Sequence, residues 1–517
     1  MATYYWVGGA GTWDATTTTR WATSSGGAGG AGVPTSADNV IFDSASNATA
    51  YAVTVGTNAV AADITIAGPA SGNVTFSAAT TAIITCYGSW TNSATGVVFS
   101  AIGSAQITFQ SATTGKTITT NGVSLSGFQI AFNVASGGWT LGSAFSTGGN
   151  ITVNNGTFTT GNFTVTANSL ISTNPVTRAI TLGSSTVTLL GTTPVSMVST
   201  SLTFNAGTST IVCSNAAPTF AGGGLTYYNV SFTSNAGGNT TAITGNNTFN
   251  NLNQTSPTNN RRLMSMGANQ VISGTFTPGA ANLYNARVQV LSTTAGSPVT
   301  LTVATVATLL DVDFRDISVA GTSSPWAGVR LGNGLGTTNI TFVAGKTVYW
   351  NLAAGGNWGS NAWALTSGGV ASTLNFPLAQ DTAIIDNTGL TTGNTITMEN
   401  GWWVGTFNCT RTNAWTFAGA GGFSVYGNFT IPSVTTVTYS VNTNFVGQGL
   451  TQTLTTNGVS FAGGIAVSTV GGTLLLNGAV TSSGTVTLNN GTLNLNNYTL
   501  TCNAFNSSNS NIRAVTS

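Results

Sequence analysis

The chain has 517 residues, of which only 4% are charged, with a formal net charge of +1 and no histidine. An ordinary soluble domain carries roughly 25% charge, so this composition is extreme. It offers neither the basic stripe of a nucleic-acid groove nor a face for anionic lipid, and no apolar run reaches the ~18 residues of a transmembrane helix, so no nucleic-acid partner and no membrane insertion are expected.

The first element, residues 5–43, reads YWVGGAGTWDATTTTRWATSSGGAGGAGVPTSADNVIFD. It returns at residues 349–386 as YWNLAAGGNWGSNAWALTSGGVASTLNFPLAQDTAIID. Trp6, Trp13 and Trp21 map onto Trp350, Trp358 and Trp363; Pro34, Asp38 and Asp43 map onto Pro377, Asp381 and Asp386. So many rare residues in one order argue for a duplicated module. Three clustered tryptophans suit a sugar-stacking platform or a packed cap. Their return with the same glycines and proline favours the cap. The aspartates could bind calcium; turn-capping through side-chain bonds to backbone N–H groups is the preferred reading, and no metal or other cofactor is expected. The start, MATYYWVGG, lacks the basic and apolar regions of a secretory signal peptide. Residues 1–50 are taken as the first Trp-rich cap.

Residues 51–217 show few helix signals. Short alternating runs recur between Gly, Asn and Ser turns: 106–109 (QITF), 117–120 (TITT), 150–153 (NITV), 157–160 (TFTT) and 162–166 (NFTVT). Apolar side chains at alternate positions place them on one face. Asn-Gly turns separate many of the runs, as at Asn121-Gly122 and Asn155-Gly156, and by themselves fit a hairpin as well as a coil corner. Strands of three to five residues every ~8–12 residues, sustained over hundreds, favour a β-solenoid. In its stacked ladders like charges would repel, which accounts for the low charge. Cys86, Cys213, Cys409 and Cys502 are scattered, with no CxxC, and read as buried small apolar side chains.

Residues 218–345 form a second β region of the first module, read as a wider solenoid or a sandwich. It holds Arg261, Arg262, Arg287, Arg315 and Arg330 and the trio Asp311, Asp313, Asp316. Residues 282–291 (NLYNARVQVL) and 299–303 (VTLTV) read as strong strands. Residues 309–319 (LLDVDFRDISV) are expected as one alternating strand, with Leu310, Val312 and Phe314 inward and Asp311, Asp313 and Arg315 outward. The three aspartates are the weak candidates for a carboxylate active site; a solvated edge or a local Asp–Arg pair is the preferred reading, and no catalytic residue is assigned.

Residues 346–387 are the second cap and 388–517 the second solenoid. TTNGVS at 119–124 returns at 455–460, VNNGT at 153–157 as LNNGT at 488–492, and NFTVT at 162–166 as NYTLT at 497–501. Residues 506–517 read as a coil under way, and an uncapped coil invites association. The fold expected is therefore all-β: an elongated β-solenoid, β-helix-like, of two duplicated modules, each opened by a Trp-rich cap, with a more regular β region between.

The opening segment, the VDFRDISVAG…SPWAGVRLGN…ITFVAGKTVYW stretch (residues 312–350) and the TTNG and NNGT coils resemble large structural proteins of tailed bacteriophages, similar to β-solenoid tail-fibre or adhesin-like appendage proteins. The resemblance implies a virion component and carries no known catalytic residues. A structural, non-enzymatic fibre- or spike-like rod follows as the expectation. It would be made in the host cytoplasm and act outside the cell, presenting loops for host-surface attachment. Its partners would be other virion proteins, a host-surface glycan and further copies of itself, as a trimer or end to end. A bacterial surface adhesin or filament subunit and a tailspike-like polysaccharide depolymerase are the alternatives.

Overall fold

Apolar residues at alternate positions stack on their equivalents one coil further along. In one column Ile84 lies beneath Ile107, then Ile130, Ile151, Leu170 and Val195 in parallel register, all essentially fully buried. Each such side chain contributes roughly 1.5–3 kcal/mol by leaving water. The alternate positions face outward, as in the threonine column Thr65, Thr91, Thr119. Repetition of this pattern makes the computed structural model, which describes residues 1–279 and 284–517, an all-β solenoid of about 21 turns. The one helical element among the described residues is a 3-10 turn at Thr373–Asn375. No helix among the described residues is long and apolar enough to cross a membrane.

The chain forms two compact units, Met1–Ser234 with Ile243–Asn253, and Asn235–Ala242 with Gln254–Ser517. In the first, a ten-stranded sheet runs from Trp21–Ala22 and Thr3–Trp6 to Leu202–Asn205. A second face is built from Gly11–Trp13, Tyr51–Val55, Val74–Ala78 and Val97–Ala101, and a third opens at Ala59–Ala61. The Asn-Gly sites are coil corners: Asn121 (φ 51°) and Gly122 (φ 84°) recur as Asn457 (φ 50°) and Gly458 (φ 83°). Asn162 and Asn497 also adopt positive φ, 66° and 61°. The strands expected at 162–166 and 497–501 therefore start later, at Val165–Ala167 and Leu500–Asn506.

Region 218–345 continues as solenoid, most of it in the second unit. Arg262–Met266, Val288–Ser292, Val312–Arg315 and Gly332–Asn333 pair in parallel along one flank. Of the strand expected at 282–291, residues 282 and 283 lie outside the described residues, and the strand itself is Val288–Ser292. The expected single strand over 309–319 is corrected. Asp311 (φ 58°) and Asp316 (φ 55°) take the left-handed conformation and turn corners, splitting the segment into Val312–Arg315 and Ile317–Ala320. Leu309, rather than Leu310, is the buried leucine beside Val312 and Phe314. Aspartate suits these corners because its short side chain tolerates left-handed backbone.

The second module, from Thr347–Trp350 onward, packs flank to flank against the coils that precede it in this unit. Its strands Trp402–Val404, Phe423–Val425 and Thr443–Phe445 pair in parallel and present Trp403, Ser424 and Asn444 outward. Toward the C-terminus the strands merge around corners into Ile465–Leu476 and Val480–Asn494. The last coil, Leu500–Asn506 and Arg513–Thr516, stacks Phe505 on Val486 and Val515 on Leu493, and leaves Phe505 and Val515 exposed.

Candidate functional site

The two aromatic segments are built alike. Thr3–Trp6 receives an antiparallel partner, Trp21–Ala22, with Trp6 opposite Trp21; Thr347–Trp350 receives Trp363–Ala364, with Trp350 opposite Trp363. The coils that follow pair in parallel, so the antiparallel strand closes the open edge of the first coil. Trp6 and Trp21 meet edge to face at 5.1 Å, as do Trp350 and Trp363 at 5.4 Å. Trp13 packs on Phe42 at 5.4 Å and Trp358 on Phe423 at 5.3 Å. All six indoles are 0–1% exposed, which leaves no ring face for a sugar. Pro34 and Pro377 are buried as well.

The paired aspartates fix turns. Asp38 accepts from the Ala2 amide (2.9 Å), the Thr35 amide (3.1 Å) and the Thr35 hydroxyl (2.7 Å). These bonds, the Thr35 hydroxyl first, hold its carboxyl below the usual range. Asp381 accepts from the Lys346 and Leu378 amides, each at 2.9 Å, and from Lys346 Nζ at 2.6 Å. Asp43 accepts from the Ala45 amide and Asp386 from the Thr388 amide, the same residue-plus-two turn in both copies. Among the described residues no group of three or more His, Cys, Asp or Glu could hold a metal ion.

Asp311, Asp313 and Asp316 lie at 0–2% exposure where the two modules meet in the second unit. The expectation of a solvated edge is corrected; the expected Asp–Arg pairing is there. Arg287 donates from Nη1 to Asp311 Oδ1 (3.0 Å) and from Nε and Nη2 to Asp313 Oδ1 (2.9 and 2.5 Å). Arg330 reaches both oxygens of Asp311 at 2.7 and 2.5 Å. Asp316 accepts from the Gly296 amide (3.0 Å), pairs with Arg315 (3.3 Å), and takes both bonds of the Gln448 amide (2.9 and 3.0 Å). Burial pulls the Arg287 guanidinium down, but Asp313 and Asp311 outweigh it and hold it charged. The physical reason for burial is the flank packing. On Val288–Ser292 the core side of the strand is covered by its own coil, and the outward Gln289 and Leu291 by the second module, so all five residues are buried. Leu291 joins Ala379, Trp403 and Tyr426 in a small apolar cluster there. Gln380 completes the seam, donating to Leu331 O and accepting from the Asn333 amide, both at 2.9 Å.

Gln289, Gln380, Gln448 and Arg261 have no signal in local patterning. A trace exists in Trp402-Trp403: adjacent strand residues face opposite ways, so one indole must point outward and requires a cover.

Arginines elsewhere meet carbonyls instead of carboxylates. Arg178, 1% exposed, donates to Val176 O (2.9 Å), Thr200 O (2.8 Å), Ser172 O (3.0 Å) and Ser172 Oγ (2.6 Å), and also to Val198 O. Arg411 reaches Asp386 O and Leu390 O at 2.7 Å. Each pins a corner. Cys86, Cys213 and Cys409 are free and buried in ladder positions; burial raises the thiols of Cys86 and Cys409 to about 12, so they are not nucleophiles at neutral pH.

The site and fold define a β-solenoid whose Asp–Arg ion pairs are internal. No protein-family model, no curated protein and no solved structure matches the chain.

Proposed function

We propose that this protein is a structural virion component of a tailed phage, a fibre- or spike-like β-solenoid that presents loops for host-surface attachment. The observation that supports this reading is where the charge goes. Asp311, Asp313 and Asp316, the carboxylates a depolymerase would have used, are each tied to arginine inside a seam. Arg178 and Arg411 are turned onto carbonyls. What remains outward on the coils is largely a neutral surface of Thr, Ser and Asn, as in the Thr140, Thr159, Thr181 column. Parallel backbone ladders that join each coil to the next resist local opening, which suits a part that must last outside a cell.

The test is peptide mass spectrometry of gradient-purified particles from a lysing culture that makes the protein. The expected result is its peptides at an abundance comparable to other structural proteins. Recovery only in the soluble lysate, with none in the particles, would sink the reading.

A further inference from the structure

The seam holds one cation more than its carboxylates neutralise. Arg287, Arg315 and Arg330 are paired with Asp311, Asp313 and Asp316. Among the described residues Arg261 has no carboxylate partner. Its Nη1 makes one long bond, 3.4 Å, to Gln289 Oε1, and its Nε is buried without a partner among the described residues. The guanidinium lies flat against Gly401, where a Cβ would fall 2.1 Å from Nε, so glycine is required for it to sit there. A half-buried guanidinium with a buried, unpartnered Nε is costly unless an anion meets it. Burial accordingly pulls its pKa down, with only Asp313 pulling the other way.

Arg261 borders a slot of about 170 Å³ that opens to solvent between the two module flanks. That is roughly the bulk of five or six water molecules. Arg315, Ser424, Asn444 and Trp403 line it, and a neighbouring space of about 230 Å³ shares Arg315, Ser424 and Asn444 with it. The Ser424 hydroxyl and the Asn444 amide make no side-chain hydrogen bond to the described residues. The lining therefore offers two guanidiniums, an amide and a hydroxyl, with the nearby carboxylates already engaged by arginine.

We infer that this slot binds a small oxyanion, the carboxylate or phosphate group of a compact polar ligand, with its charge against Arg261 and its oxygens toward Arg315, Asn444 and Ser424. Guanidinium forks match both groups, and the slot admits about one sugar-sized moiety. The site stands whether or not the protein is carried on a virion.

The experiment is calorimetric titration of the full chain at low ionic strength with glucuronate, inorganic phosphate and, as the neutral control, glucose. Saturable binding of glucuronate or phosphate is expected, with little or none for glucose. Binding of glucuronate alone assigns a carboxylated sugar, of phosphate alone a phosphate group; both support the site. Arg261→Gln should weaken the anion about tenfold or more, the size of one lost charge-assisted hydrogen bond. Asn444→Ala, a change at a half-buried residue with no internal side-chain partner, should weaken it several-fold while leaving thermal unfolding unchanged. Lys116→Gln, in the first unit, should change nothing. Glucose binding as well as the anions, an anion affinity untouched by both Arg261→Gln and Asn444→Ala, or no saturable binding by a folded chain would each overturn the assignment. Should Arg261→Gln fail to fold, Asn444→Ala decides alone.

Discussion

At the scale of single residues, charge placement follows from desolvation. The one glutamate, Glu399, shows the cost most plainly. Its Oε1 accepts from the Gly359 amide (2.9 Å) and Trp402 Nε1 (3.2 Å), while Oε2 is buried with no partner among the described residues. Burial raises its pKa above the ordinary 4.5, against the pull of those bonds. The folded state thus binds the proton more tightly than the unfolded chain, and stability falls as pH rises from about 4.5 through the folded value. Glu399→Gln keeps an acceptor for both donors and removes the charge. It should raise the unfolding temperature at pH 7, with the advantage over the natural chain shrinking toward pH 4, as scanning calorimetry across that range would read. An equal gain at both pH values would place the effect in packing instead. The corner arginines solve the same problem with carbonyls, which is why a chain with 11 basic and 10 acidic residues forms few ion pairs among its described residues.

At the scale of elements, the caps and ladders were readable from the chain because their determinants are local. Trp-rich segments with a fixed Ser-Gly-Gly, proline and aspartate repeat as units, and alternation of apolar residues sets each strand's face. Corners were less readable. Asp311 continues an alternating pattern that any strand would satisfy, and only its left-handed φ reveals the turn; Asp316 falls at an inward position and breaks the alternation, the one trace of its corner in the sequence. Removing an indole from a cap should have a local cost. Trp21→Ala leaves a cavity among Trp6, Trp13 and Phe42 and costs about 3–5 kcal/mol. Because coils are coupled mainly to their neighbours, amide exchange should accelerate in Thr3–Trp6 and Asn39–Phe42 and hardly at all in Arg178–Thr181. Uniform acceleration over all these strands would show one cooperative block instead.

At the scale of the molecule, two modules from a duplication do more than repeat. In the second unit the later module covers the outward face of earlier coils, and that contact converts surface charges into a buried network. A buried pair is weak evidence for net stability, yet removing one partner is costly because the other stays desolvated. Arg287→Met leaves Asp313 with only a 3.4 Å bond from Gln289 and should destabilise the unit by about 3–5 kcal/mol. The readout is exchange or proteolysis at Val288–Ser292 and Trp402–Val404 together, since the seam joins them. If only Val288–Ser292 loosened, the network would serve its own coil and not the docking of modules.

The amino-acid sequence by itself determined the all-β class, the coil repeat and the twin tryptophan caps. These rest on side-chain period, turn chemistry and short-range aromatic clustering, which act within a few dozen residues. Tertiary structure alone decided the fate of Asp311, Asp313 and Asp316 and the existence of the Arg261 slot. Asp316 meets Gln448 across 132 residues of chain, and no pattern along the sequence records that meeting. Whether an outward charge is solvated or buried depends on what later folds against it, and here that is the chain's own second copy.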